Sequence, residues 1–382
     1  MKSKYIIFVN DTAATEGGAL TILRQFLSNI SKYSPENFIY YVFCSLEELK
    51  QYESDNIKII NDIKGKKRID RIKWDLFGLK KWSQKHNIKA DLLISLQNTG
   101  IRYYKNTKQI AYIHQPLSFY QIKRWKLFNK DERGLWFYQN IYKKIIQYGL
   151  RKDTHLVVQT ETMKKAMQKQ LKRDDSKIKV IKPSLEKIEI EKIKTIDFGD
   201  NKFHIFYPAA TFPYKNHEII IEALRLLKNQ EKNIYQNLVV HFTFEADKKA
   251  RSTKLIKLIN QKKVEDAIIL EGQIPYDKAL SLYKSSDLLV FPSYIESLGL
   301  PMIEAAMFGL PILVSSVDIN KEVLQDYKGA RFLDYNNPQA WAEAIKDAYF
   351  KKQKFPEYKE NNSNNWSQFF ALIKGLIYNE IT

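Results

Sequence analysis

The chain has 382 residues, room for two domains rather than one core. A hydrophobic share of 44% excludes wholesale disorder, and a single cysteine, Cys44, excludes a disulfide framework or a cysteine-based zinc site. With 62 Lys+Arg against 43 Asp+Glu, the net charge of +19 suits a polyanion (nucleic acid, an anionic membrane or a phosphorylated ligand) or else a solvated lysine-rich surface.

The first apolar run, in MKSKYIIFVND, is too short for a signal peptide and reads as a buried strand over 5–10. In VNDTAATEGGALTILRQFLSNI, Gly17 and Gly18 stand between that strand and a helix over about 19–30. Glycines there let a ligand approach the backbone, and the helix N-terminus offers amides. The spacing is not G-x-G-x-x-G, which disfavours nicotinamide, and Gly-Gly alone also reads as a plain turn. Further apolar, β-branched runs follow at 39–45, 91–96, 109–114 and 155–160. His114 closes the run at 109–114, inside YIHQPLSFY, either as a site residue or as a structural histidine. The six histidines are scattered, with no metal-ligand spacing among them.

Two stretches of the first half, 64–86 and 120–152, interleave Lys/Arg with aromatic residues. Such helices either lie on an anionic bilayer or bury their aromatics against a sheet and solvate their lysines. No nucleic-acid-binding module is present, so nucleic acid is not an expected partner. The polar, Lys/Glu-rich stretch 181–202 reads as a domain seam. Beyond it, strands are expected at 203–210, 238–244, 267–272, 287–293 and 311–316, separated by helix-period segments such as NHEIIIEALRLLKNQ and YDKALSLYKSSD.

Continuous apolar strands alternating with helices predict α/β architecture with parallel sheets, and ten strands overfill one sheet. The expected division is 1–185, 186–360, and a closing helix in 361–382 that returns to the first domain. Each large domain is a doubly wound, Rossmann-like unit with ligands at the carboxyl ends of its strands, facing a cleft. No run reaches the ~20 apolar residues of a spanning helix. The expected location is the cytoplasm, extended by the basic-aromatic stretches to the inner face of the cell membrane.

The most informative stretch is YIESLGLPMIEAAMFGLP, 294–311. A strand ends before it, Pro301 suits a first helical turn, and Gly309 suits its C-terminal end. The amides of Leu298 and Gly299 then lie near a helix N-terminus, a favourable place for a diphosphate. A phosphate repels carboxylates, so Glu296 and Glu304 are better placed to accept hydrogen bonds from hydroxyls. Hydroxyls on both sides of a diphosphate describe a nucleotide sugar. The plainer alternative makes Glu304 a first-turn carboxylate complementing the helix dipole and Glu296 a surface residue. In YPAATFPYKNHEIIIEALRLL, 207–227, Lys215 and Asn216 open a helix, and Lys215 is a point charge suited to a leaving diphosphate.

These segments resemble the retaining GT-B glycosyltransferases of the family 4 type, whose signature is two glutamates eight positions apart. The resemblance is continuous over 271–315, good over 203–316, and loose at 5–30 and 109–116. It implies that Glu304 contacts the ribose, that Glu296 contacts donor-sugar hydroxyls, that the amides of Ser297, Leu298 and Gly299 hold sugar and diphosphate, and that Lys215 neutralises the leaving diphosphate with Asn216 beside it. It also implies that the glycine-rich loop at Gly17-Gly18 lines the cleft, and that His114 contacts the donor sugar near the reacting centre. Ile274, in GQIPY, lies in the loop that reads the base, uridine or guanosine. The family's usual arginine is missing; its position falls near Ala210. No D-x-D triplet occurs in the chain, so neither a metal nor another cofactor is expected. The implied reaction is hexosyl transfer, by front-face displacement with retention, to a glycan or a polyprenyl-diphosphate-linked acceptor of surface-polysaccharide synthesis. A nucleotide-sugar epimerase of the same architecture, and a basic membrane- or RNA-binding protein with a degenerate transferase fold, are the alternatives. The first lacks a convincing acid/base set, and the second does not fit intact Glu296, Glu304 and Lys215.

Overall fold

The computed structural model describes residues 3–61, 73–184, 188–245, 250–359 and 365–379, so the beginning of the basic stretch 64–86 and part of the seam lie outside the described residues. The chain forms two compact units: Met1–Tyr120 with Leu135–Glu186 and Asn362–Thr382, and Gln121–Gly134 with Lys187–Asn361.

Among the described residues the first unit contains seven parallel strands: β1 (Tyr5–Asn10), β2 (Phe38–Phe43), β3 (Ile57–Ile60), β4 (Leu92–Ser95), β5 (Lys108–Ile113), β6 (His155–Val158) and β7 (Ile178–Val180). Their order is β3-β2-β1-β4-β5-β6-β7. Ile7, Phe8 and Val9 are fully buried on both faces of β1, which is why this strand reads as an unbroken apolar run. The helix Gly17–Tyr33 covers one face, and the C-terminal helix Asn365–Ile377 returns to the same core. There Phe26 and Phe370 stack with ring centres 5.5 Å apart, and the indole of Trp366 donates to Gln25 Oε1 at 3.1 Å. Burying each such ring stabilises the unit by about 1.5–3 kcal/mol.

The second unit contains β8 (Phe203–Tyr207), β9 (Leu238–Phe242), β10 (Ile268–Leu270), β11 (Leu288–Phe291), β12 (Ile312–Ser315) and β13 (Ala330–Leu333). All are parallel, in the order β10-β9-β8-β11-β12-β13. Both units use one device to set register at their centre. The Asp91 carboxylate, just before β4, accepts from the Ile6 amide at 2.8 Å. The Asp287 carboxylate, just before β11, accepts from the His204 amide at 2.8 Å. Sequence shows the same pattern twice, DLLIS and DLLVF.

Three strands go beyond the ten expected, and all three are edge strands: β3 (IKII), β7 (IKV) and β13 (ARFL). Each carries a basic residue, as edge strands do to discourage pairing with other chains, and this breaks the apolar signal. A boundary also differs. Residues 121–134 pack with the second unit, whereas a cut at 185 assigns them to the first. Trp125, nearly buried, stacks on Tyr294 at 6.4 Å with an 18° interplanar angle, and the Lys254 ammonium lies 2.5 Å from an Asp131 oxygen. Among the described residues no helix is long and apolar enough to cross a membrane.

Candidate functional site

In the second unit the two central strands, β8 and β11, end beside each other, and the loops that follow carry the residues singled out in the sequence. After β8 the chain passes exposed Ala210, makes a single turn at Pro213–Lys215, and enters the helix His217–Gln230. Asn216 makes that junction in the left-handed region, φ 57°, and its side-chain amide donates to the Tyr335 carbonyl at 2.8 Å. Asparagine is among the few non-glycine residues that tolerate this conformation. The Tyr207 hydroxyl donates to the Lys215 carbonyl and fixes the turn from below.

After β11 the loop 292–299 leads into the helix Leu300–Met307. Gly299 caps it at φ 72°, where a Cβ would lie 2.3 Å from Met302 Cε. The helix begins with no side-chain cap and no acidic residue in its first turn, leaving its N-terminal dipole uncompensated from within. Glu304 is the fifth helical residue, so it is not a first-turn carboxylate. It accepts a hydrogen bond from the Tyr276 hydroxyl at 3.1 Å. Tyr276 opens the helix after the loop holding half-buried Ile274.

The two loops meet in an ion pair. Lys215 Nζ lies 2.5 Å from Glu296 Oε1, with side chains 15% and 12% exposed. Glu296 is therefore no surface residue. Lys215 Nζ also lies 5.4 Å from the centre of the Phe291 ring. Ser297 is half-buried and Leu298 buried between Glu296 and the helix. Behind the turn, burial first, then Arg251 and Lys215, push the His217 pKa down to about 3, so this imidazole stays neutral.

A further cation beside the helix that follows this loop is supplied by another element. Arg251, from the helix Ala250–Lys262, donates to Glu218 Oε1 on the helix His217–Gln230. Arg251, Glu218 and Asn216 line a polar cavity of about 530 Å³ with Lys123, Asp131 and Tyr294. Nothing in the sequence ties Arg251 or the 121–134 segment to this loop; both arrive through tertiary packing.

In the first unit, Gly17 begins its helix at φ 59°, and a Cβ at Gly17 or Gly18 would meet nothing within 4 Å, so the space above both is open. His114 directly follows β5 and is half-buried. Asn98, φ 67°, accepts from the His114 and Gln115 amides at 2.6 and 2.9 Å. Its amide nitrogen lies 3.1 Å from His114 Nε2. Burial lowers the His114 pKa to about 4. Asn98 was not legible as a partner of His114, since sixteen residues separate them.

Two parallel, doubly wound sheets in this strand order define a GT-B glycosyltransferase fold. The solved structure of sucrose-phosphate synthase from Thermosynechococcus elongatus superposes with a TM-score of 0.67, at 15% identity, over 99% of this chain and 98% of that one. Anabaena HepE in complex with UDP and glucose superposes at 0.62, with 12% identity, over 99% and 95%. Residues 189–366 match the family model of the glycosyl transferases group 1. The O-antigen chain mannosyltransferase RfbU of Salmonella typhimurium is 23% identical over 212 residues, 55% of this chain and 56% of its own length. The chain thus spans about half the length of that curated relative.

Proposed function

We propose that the protein is a retaining glycosyltransferase of the family 4 type. It transfers a hexose from a nucleoside-diphosphate sugar, UDP- or GDP-linked, to a glycan or polyprenyl-diphosphate-linked acceptor in surface-polysaccharide synthesis. The observation that carries this reading is the Lys215–Glu296 pair at the carboxyl ends of β8 and β11, beside an uncapped helix N-terminus. A ligand entering here meets a cation and amides for a diphosphate, and a carboxylate for hydroxyls. RfbU is a mannosyltransferase and HepE binds UDP and glucose, which agrees with a nucleotide-sugar donor.

The chemistry then follows from charge. As the sugar–phosphate bond breaks, positive charge grows at the anomeric carbon and negative charge on the diphosphate. Lys215 and the amides around Leu298 and Gly299 stabilise the departing oxygens, and preorganised donors of this kind are typically the largest catalytic effect. Glu296, released from Lys215 by the incoming diphosphate, accepts from sugar hydroxyls; Glu304 does the same for the ribose, with Tyr276 holding its carboxylate. The leaving phosphate takes the acceptor's proton, so the acceptor arrives on the face the phosphate leaves. No divalent ion has a role in this scheme.

Peripheral membrane contact is part of the proposal. On the first unit Phe137, Tyr138, Ile141 and Tyr148 are exposed along the basic stretch 120–152, and on the 121–134 segment Phe128 is 98% exposed. Aromatics among lysines suit an anionic bilayer, at about 1 kcal/mol for each basic residue near the surface.

The test is thermal stabilisation by UDP and by GDP, with and without EDTA, followed by hydrolysis of a panel of nucleotide sugars. Stabilisation by one nucleotide, indifferent to chelator, is expected. Stabilisation by neither removes the reading, and stabilisation only with a divalent ion removes its metal-free form. Flotation with anionic and neutral liposomes tests the membrane part: salt-sensitive binding to anionic vesicles is expected, and its absence ends it.

A further inference from the structure

The end of β5 holds an arrangement that the donor-site chemistry leaves unused. Asn98 is nearly buried in a left-handed conformation, and its Oδ1 takes the backbone N–H groups of both His114 and Gln115. Those two groups can only donate, so the amide cannot flip without setting an NH2 against them. The nitrogen Nδ2 is thereby aimed at His114 Nε2, 3.1 Å away. An amide nitrogen has no lone pair to offer, so Nε2 must be the acceptor, and a neutral ring then carries its proton on Nδ1. His114 Nδ1 is out of contact with solvent and has no hydrogen-bond partner in the protein. A buried N–H without an acceptor costs about 1–3 kcal/mol, a cost that a ligand oxygen would offset. Next to it, Gln115 uses Oε1 to accept from the Ser118 amide at 3.1 Å, and its Nε2 is likewise buried with no acceptor.

We propose that Asn98 is a positioning residue: it fixes His114 as the neutral Nδ1–H tautomer, so that the ring presents a hydrogen-bond donor to a ligand oxygen at the end of β5. His114 is then neither general base nor general acid, because Nε2 is tied to Asn98 and the proton on Nδ1 stays there throughout. The identity of the oxygen rests on the transferase reading; the tautomer does not. Burial, which keeps the ring neutral near pH 7, acts in the same direction.

The experiment is a long-range proton–nitrogen NMR correlation on ¹⁵N-histidine-labelled protein, wild type and Asn98→Asp, each alone and with UDP or GDP. Aspartate keeps the oxygen that caps β5 but sets a second carboxylate oxygen against Nε2. The wild type is expected to show protonated Nδ1 and bare Nε2. In Asn98→Asp the proton moves to Nε2 and the His114 titration midpoint rises by about 1–3 pH units. Turnover falls about tenfold while the folded spectrum is kept, the loss of one hydrogen bond in the transition state. Asn98→Ala is the second variant: should it unfold, the wild-type tautomer and Asn98→Asp still decide. Bare Nδ1 in the wild type, or a His114 signal and turnover unchanged in Asn98→Asp, overturns the proposal. Protonated Nδ1 in a wild type that binds neither nucleotide keeps Asn98 as the residue that sets the tautomer and sinks the transferase reading instead.

Discussion

Lys215 Nζ and Glu296 Oε1 lie 2.5 Å apart, and this contact joins the loops that follow the two central strands of the second unit. The pair is largely desolvated, so removing one partner strands the other's charge. Lys215→Ala is expected to destabilise the second unit by about 3 kcal/mol, read by chemical denaturation. The double variant Lys215→Ala/Glu296→Ala should recover part of that loss. Transfer should fall roughly 10²–10³-fold in Lys215→Ala, as for loss of one leaving-group donor. A single variant as stable and active as wild type would show that the pair carries neither role.

Glu304 and Tyr276 form a separate contact, 3.1 Å between hydroxyl and carboxylate, for which we propose a role in ribose recognition. Glu304→Ala should weaken UDP or GDP binding by about tenfold or more, the value of a hydrogen bond to a charged group. Tyr276→Phe should weaken it less, since it only frees the carboxylate. Calorimetric titration decides; equal affinity for Glu304→Ala and wild type removes the ribose assignment.

Glu296→Gln separates binding from chemistry. It keeps the shape of the side chain and the contact with Lys215 while removing the charge. Nucleotide affinity is expected to stay within a few-fold of wild type while turnover drops at least tenfold, because in the proposed scheme the carboxylate serves the sugar and not the diphosphate. A parallel loss in both would place Glu296 in nucleotide binding.

Burial pushes four histidines down, His114 and His155 to about 4, His217 to about 3, and His241 below its ordinary value as well. In the unfolded chain they titrate near the ordinary value of about 6.5. Between these limits the unfolded chain binds protons that the folded protein does not. Stability is therefore complete above about pH 6.5 and declines as pH falls toward 4, by up to ~1.4 kcal/mol per pH unit for each histidine. Denaturant midpoints at pH 7.5, 6 and 5 test this; a flat profile over that range contradicts it.

Trp125 holds the 121–134 segment on the second unit by stacking on Tyr294. Trp125→Ala removes a buried indole, about 3–5 kcal/mol. Because the segment also relies on the Asp131–Lys254 pair, the expected result is local release: faster proteolysis at the Lys/Arg-rich stretch 123–133, with the rest of the chain intact. Cleavage at the wild-type rate would mean that the indole is not what seats the segment.

Much of this protein was legible before any fold was known, and the reasons are local. Fully buried parallel strands must be apolar on both faces, so ten runs stand out from the chain, and helix 300–307 announces itself through Gly299, Pro301 and Gly309. Glu296, Lys215 and Glu304 could be singled out because they stand in the loops after two strands or in the helix that follows, where a doubly wound sheet presents ligand-binding residues. The edge strands IKII, IKV and ARFL escaped because an edge needs a charge that erases the pattern. Only tertiary structure decided the rest: that Lys215 is held by Glu296, that Glu304 is held by Tyr276, that the Asn98 side chain meets His114, and that 121–134 crosses to the second unit. Each of these joins residues brought together by packing across a sheet end, and no periodicity or spacing along a chain encodes which distant side chain fills a hydrogen bond.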